Sequence, residues 1–132
     1  MAEAKRMEIA EIGEFGLIKK LAGEWQPLNG NTVKGVGDDA AVIDAGETYS
    51  LLSTDLLLEG IHFDLVYFPL RHLGYKSVVL GINDILAMNG IPQQITVSIG
   101  FSAKLGVEQL DDLYLGIRSA CSEYGVDLVG GD

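Results

Sequence analysis

"GVEQLDDLYLGIRSACSEYGVDLVGGD", residues 106–132, decides how the rest of the chain is read. Leu110, Leu113, Tyr114, Ile117, Ala120, Cys121 and Tyr124 recur at three- and four-residue steps between two glycines, which is one apolar stripe of a helix. The helix hands the chain to "VDLV", an apolar strand, and then to Gly130, Gly131 and Asp132. Working back, "QQITVSIGF" (93–101) alternates as a strand does, and "RHLGYKSVVLGINDILAMNG" (71–90) is long enough for a helix stopped by Asn-Gly and Pro92. Residues 33–58 are short apolar runs punctuated by glycine, read as three strands. Residues 11–24, with Ile12, Phe15, Ile18 and Leu21 or Ala22 at helical spacing, form an amphipathic helix broken by "QPLNGN". The order is helix, three strands, helix, strand, helix, strand. That order predicts an α+β domain with helices packed on one face of a mixed or antiparallel sheet.

At 132 residues and 48% hydrophobic content the chain has enough for one packed core. Its 19 acidic against 9 basic residues give a net charge of −10, which argues against nucleic acid or an anionic membrane as partner. No apolar run reaches the ~20 residues of a membrane span, and the first residues lack the apolar core of a signal peptide. The single Cys121 excludes an internal disulfide and a thiolate zinc cluster and fits a reducing compartment, so a cytoplasmic address is expected.

Acidic residues meet glycine or a strand in four places. Asp38 and Asp39 follow Gly35 and Gly37, Asp55 ends "STD" among leucines in what reads as a strand, Asp84 lies in the helix of 71–90, and Asp132 follows Gly130-Gly131. An Asp in a glycine turn is more often a turn-former or cap than a ligand. Asp84 is harder to set aside. Leu73, Val78, Val79, Ile82, Ile85, Leu86 and Met88 cover most of its helix, so its carboxylate needs a partner, and Lys76 on the same stripe offers part of one. Several such carboxylates gathered together need cations, and the hard, oxygen-seeking candidate is Mg²⁺, which also bridges to phosphates. Zinc lacks thiolates, and His62 and His72 stand ten residues apart; calcium lacks an EF-hand spacing. There is no phosphate loop of the G-x-x-x-x-G-K type, no G-x-G-x-x-G and no H-R-D.

In order, "VGDDAAV", "STDLLLEGIHF", "GYKSVVLGINDILAMNG" and the closing "LVGGD" resemble the N-terminal domain of the thiamine-monophosphate kinases, within the superfamily named after aminoimidazole ribonucleotide synthetase. "STD" followed seven residues after its Asp by His62 favours the thiamine enzyme within that superfamily. The resemblance runs from about residue 12 onward and implies an enzyme that moves the γ-phosphoryl of ATP onto thiamine monophosphate, giving thiamine diphosphate with several Mg²⁺ ions. Carried onto matching positions, it implies metal ligation by Asp39, Ser53, Thr54, Asp55, Asp84 and Asp132, with Asp38 the weaker match beside Asp39. It implies contact of His62 with thiamine monophosphate, and of Gly131, Asp132 and Tyr114 with ATP. It also implies a homodimer formed through this domain. Family members carry a C-terminal domain that this chain lacks, so residues 1–132 are expected to be the ATP- and Mg²⁺-binding and dimerising front of a longer protein, inactive alone.

The nucleophile in such a reaction is a phosphate oxygen, already anionic at neutral pH, so no catalytic base is assigned. The alternatives are another ATP-using member of the superfamily, acting on selenide or a formylglycinamidine ribonucleotide, and a non-catalytic dimerising domain whose carboxylates are caps and turns.

Overall fold

The computed structural model describes residues 8–132. Its elements follow the expected order: α1 (Ile9–Ala22), β1 (Thr32–Lys34), β2 (Ala41–Asp44), β3 (Tyr49–Leu52), α2 (Leu70–Ala87), β4 (Gln94–Thr96), α3 (Val107–Tyr124) and β5 (Asp127–Gly130). The chain is α+β and forms two compact units, one reaching to Leu52 and one of Ser53–Asp132. The expected mixed sheet is realised as two sheets: β1-β2-β3 is antiparallel and β4-β5 is parallel.

In the first unit, β2 and β3 pair from Ala41 with Leu52 to Asp44 with Tyr49. Their turn is closed by Ala45 N–H donating to Thr48 O at 2.9 Å and by Gly46 N–H donating to Asp44 Oδ1 at 2.8 Å. Gly46 takes φ +95°, which side-chain-bearing residues rarely adopt. The expectation that "STD" lies in a strand is corrected. β2 begins at Ala41, opposite Leu52, so pairing has run out when the chain reaches Ser53.

Helix α1 begins two residues before the expected start and bends at Gly13, whose φ is +67°. Its apolar spacing does not translate into burial. Phe15 is 86% exposed, Leu21 is 67% exposed, and the helix has no buried residue.

The second unit holds the hydrophobic core. Leu73, Val78 and Ile82 of α2 meet Leu113, Ile117 and Ala120 of α3 and Val126 ahead of β5, with Ile95, Val97 and Ile99 packed against them at alternate positions of the β4 segment. Strands β4 and β5 are parallel neighbours, and α3 makes the crossover that parallel strands require. Their pairing extends past β4, because Val97 N–H donates to Gly130 O at 3.0 Å and Ile99 N–H to Asp132 O at 2.6 Å. The last residue of the chain is thereby tied into the sheet. Burial of α2 is narrower than its apolar composition predicts: Leu73, Gly74, Val78 and Ile82 are buried, whereas Leu86 is 51% exposed.

The two helices touch through their backbones. A Cβ at Gly74 would lie 2.0 Å from the Leu113 carbonyl oxygen, and one at Gly116 would lie 1.9 Å from that of Arg71. Glycine is therefore used twice to bring the helix axes together. The contact is flanked by an ion pair between Arg71 Nη2 and Asp112 Oδ1 at 2.9 Å, and by Tyr75 Oη donating to Glu123 Oε2 at 2.8 Å. Two left-handed residues end the helices, Asn89 (φ +58°) beyond α2 and Gly125 (φ +65°) beyond α3. At the other end of α3, Gly106 N–H donates to Gln109 Oε1 at 2.8 Å.

Alanine at Gly74 or Gly116 gains about 1 kcal/mol of helix propensity but must push backbone from backbone, an overpacking that costs ~1–3 kcal/mol or more. Each substitution is expected to lower the Tm by roughly 5 °C or more in thermal unfolding. Gly30→Ala, where a Cβ meets nothing within 4 Å, serves as the control that leaves it unchanged.

Candidate functional site

Three segments of the second unit bring acidic and polar side chains together. Directly after β3, residues 53–55 leave the sheet; residues 58–63 make a tight turn; and the last turns of α2 carry Asp84. Ser53 Oγ donates to Asp84 Oδ2 at 2.6 Å, across 31 residues of sequence. Both residues are half-buried. This hydroxyl is the partner that Asp84 requires in an apolar helix. Lys76 does not fill that role. Helical side chains lean toward the N-terminus of their helix, so Lys76 reaches away from Asp84 and donates from Nζ to the carbonyl oxygen of His62 at 3.0 Å.

Asp55 lies close enough to Asp84 and His62 for their charges to act on it. Burial first, and then the Asp84 carboxylate, push its carboxyl above the ordinary 3.8, while His62 pulls the other way. Thr54, between Ser53 and Asp55, is exposed. His62 is exposed as well, and its ring is oriented by Leu58 N–H, which donates to Nδ1 at 2.9 Å. A ring nitrogen that accepts carries the lone pair, so the hydrogen of the neutral imidazole resides on Nε2.

The donors here are oxygens from two carboxylates and from Ser53 and Thr54. That chemistry fits a hard divalent cation of the Mg²⁺ kind. Among the described residues, no group of three or more His, Cys, Asp or Glu side chains is gathered into a ready-made metal site.

Asp38 and Asp39 belong to the first unit. Asp38 forms an ion pair with Lys34, one strand position upstream of the glycine turn, and its Oδ1 accepts from Asp39 N–H at 3.0 Å. Lys34 first, then that backbone bond, hold the Asp38 carboxyl below its ordinary value. The crowding of two carboxylates thus has a local explanation that the sequence reading missed: both are exposed, and Lys34 at i−4 neutralises Asp38.

Gly131 adopts φ +140° against the Val97 backbone, where a Cβ would lie 1.8 Å from the carbonyl oxygen. No other residue fits between the strands there. Its neighbour Asp132 holds the sheet through its backbone carbonyl, as described above. Tyr114 is 40% exposed and lines a groove of about 500 Å³ with Arg118, Cys121, Ser122, Asp127 and Leu128, while Leu113 and Ile117 on the same helix turn into the core. The thiol of Cys121 is pushed up by burial and by Asp127, which keeps it protonated and inert.

Comparison with known proteins places this geometry in context. A family described as "AIR synthase related protein, N-terminal domain" matches residues 37–132. Thiamine-monophosphate kinase of Aquifex aeolicus is 32% identical over 126 residues, which are 96% of this chain and 39% of that protein. Its counterpart in Bacillus subtilis is 35% identical over 99 residues, 74% of this chain and 30% of that protein. Among solved structures, AaThiL complexed with AMPPCP and TMP superposes with a TM-score of 0.78 at 32% identity, covering 97% of this chain and 39% of that one. The chain therefore spans about two fifths or less of the length of the relatives it matches.

Because Asp55 binds its proton more tightly in the folded than in the unfolded chain, its ionisation opposes folding at neutral pH. That penalty is relieved as pH falls through the raised pKa toward 3.8. Asp55→Asn, melted in EDTA, is expected to be more stable than the parent at pH 7 by under about 1 kcal/mol, given the exposure of the site. The difference should shrink as the pH approaches about 4. A variant no more stable than the parent at pH 7 would show that the repulsion is absent.

Proposed function

The chain belongs to the AIR synthase related family, of which it is the N-terminal domain, and on that premise we propose that it is the nucleotide- and metal-binding front of a thiamine-monophosphate kinase. The observation that carries the proposal is the convergence of "STD", "EGIH" and "IND" at one place. Ser53 is bonded to Asp84, and Asp55 lies within electrostatic reach of both Asp84 and His62. The names of the relatives, and the AMPPCP and TMP bound to AaThiL, support the same substrates for this protein.

The reaction joins two anions in a protein that is itself strongly acidic. Two unit charges 4 Å apart repel by roughly 4 kcal/mol at an effective dielectric of 20, so several uncompensated pairs would forbid the encounter. Asp55 and Asp84, with Ser53 and Thr54, would hold Mg²⁺, joined by Asp132 when the nucleotide is bound. Mg²⁺ supplies the positive charge that lets the polyphosphate and the substrate phosphate approach, several ions sharing the task. Ser53 fixes the rotamer of Asp84, so the carboxylate is aimed before any ligand arrives. His62 presents its Nε2–H as a donor to a phosphate oxygen of thiamine monophosphate. Gly131 and Asp132 approach the nucleotide by the backbone, and Tyr114 borders its groove. No residue is assigned as a base, because the attacking phosphate oxygen is anionic at neutral pH. The thiamine diphosphate formed is released, and the chemistry rests on positioning and electrostatics.

The complete protein is proposed to work as a homodimer in the cytoplasm, where ATP is at hand and Cys121 stays reduced. No described helix is long and apolar enough to cross a membrane. Residues 1–132 by themselves lack what the remainder of the relatives supplies and are expected to turn over no substrate.

Asp84→Ala or Asp55→Ala in the complete protein is expected to lower kcat for thiamine monophosphate by roughly a hundredfold or more at millimolar Mg²⁺. The far-UV spectrum and cooperative melt should be retained. Activity within about tenfold of the parent would contradict a shared ion site. Offering selenide or a formylglycinamidine ribonucleotide in the same ATP-consumption assay separates the related chemistries. Mg²⁺-dependent protection by ATP in a melt separates an enzyme from a non-catalytic domain, since a ligand at 100 times its Kd adds about 2.7 kcal/mol to the native state.

A further inference from the structure

We propose that Lys76 is a positioning residue for His62, and through that histidine for the phosphate of the acceptor substrate; the proposal rests on the reading of His62 given above. The turn that carries His62 is shaped by its own backbone. Leu58 O accepts from Ile61 N–H at 3.2 Å and His62 N–H at 2.9 Å, and Gly60 N–H donates to Phe63 O at 2.8 Å. Gly60 takes φ +78°, so this course of the chain depends on glycine. Leu58 N–H then orients the ring through Nδ1.

All of these bonds lie within residues 58–63. They define the shape of the turn, while Phe63 at its end and Leu57 just ahead of it pack against the core and seat it there. Lys76 adds a polar tether at His62 itself, between those two apolar contacts, because it is a residue of α2 and its ammonium donates to the His62 carbonyl oxygen at 3.0 Å. The same ammonium lies 5.4 Å from the centroid of the Phe68 ring, which packs against the core. A cation held between a carbonyl dipole and an aromatic face is confined on two sides. Helix α2 thus carries both parts of the site in one rigid body: Asp84 directly, and His62 by way of Lys76, eight residues earlier. An imidazole that donates a single hydrogen from Nε2 selects its acceptor by location, so a turn loosened at His62 would keep its own bonds and hold the substrate's phosphate more weakly.

The test uses the complete protein with Lys76→Met, which keeps the apolar stem and removes the donor, Lys76→Arg, which restores a donor, His62→Ala, and the double variant with Lys76→Met. Initial rates are measured against thiamine monophosphate at saturating Mg-ATP and the reverse. Lys76→Met is expected to raise the KM for thiamine monophosphate about tenfold while that for ATP moves by less than about twofold. Lys76→Arg should recover most of the loss, and the double variant should be no worse than His62→Ala, because residues acting through one another are not additive. An unchanged KM, an equal rise for both substrates, or full additivity with His62→Ala would overturn the proposal. NMR relaxation of the His62 backbone amide and imidazole provides a readout independent of the substrate. The bond from Leu58 to Nδ1 lies within the turn and should persist in Lys76→Met; a fall in the order parameters of His62 relative to α2 supports the positioning role, and unchanged order parameters refute it. A parent protein inactive on thiamine monophosphate would count against the functional reading, with the order parameters still deciding the role of Lys76.

Discussion

The close contact of α2 with α3 at Gly74 and Gly116 is the constraint on which the second unit depends. Each glycine lets the other helix's carbonyl oxygen occupy the space of a missing side chain. Bringing the axes this near lets Val78, Ile82, Leu113, Ile117 and Ala120 close a core whose aromatic residues, Phe63, Phe68 and Tyr75, pack at its edge. Several of the candidate residues of this unit hang from that pair. Helix α2 carries Asp84 and Lys76. Helix α3 carries Tyr114 and delivers the chain to β5, whose pairing with β4 ends at Gly131 and Asp132.

The acidic residues separate into those already satisfied and those that are not. Asp38 is matched by Lys34, Asp44 caps its own hairpin turn, and Asp112 is bridged to Arg71. Asp84 is aimed by a hydroxyl, a weaker partner than a cation, and Asp55 has its carboxyl raised by burial and by Asp84. Stability alone would disfavour keeping two carboxylates near each other with no cation between them. A site that recruits divalent ions for a polyphosphate gives that arrangement a use.

Much of the fold was legible because its signals are local. The stripe of α3 between Gly106 and Gly125, the Asn-Gly stop of α2 and the turn around Gly46 each follow from spacing and backbone chemistry within a few residues. What escaped depends on partners distant in sequence. The spacing of Ile12, Phe15, Ile18 and Leu21 identifies a helix without saying what covers its face, and in α1 Phe15 and Leu21 remain exposed. "STD" looks like strand until one knows that β2 begins at Ala41 and offers Ser53 no partner. A helical wheel puts Lys76 and Asp84 on one stripe, although eight residues separate them by about 12 Å along the axis, and the side chain of Lys76 leans the other way. The role of Gly74 and Gly116 was hidden because glycine in a helix reads locally as a weakness. Of the site, the residue types and their order were legible; the bond from Ser53 to Asp84 and the anchoring of the His62 turn required the fold.

Crystals of the complete protein grown with Mn²⁺ in place of Mg²⁺ and a non-hydrolysable ATP analogue would test the central claim most directly, by anomalous diffraction at the manganese edge. The account predicts anomalous peaks within about 2.3 Å of carboxylate oxygens of Asp55 and Asp84, bridging to the phosphates of the analogue. Manganese bound to the nucleotide with neither carboxylate in its coordination shell, or located in another region of the protein, would contradict it.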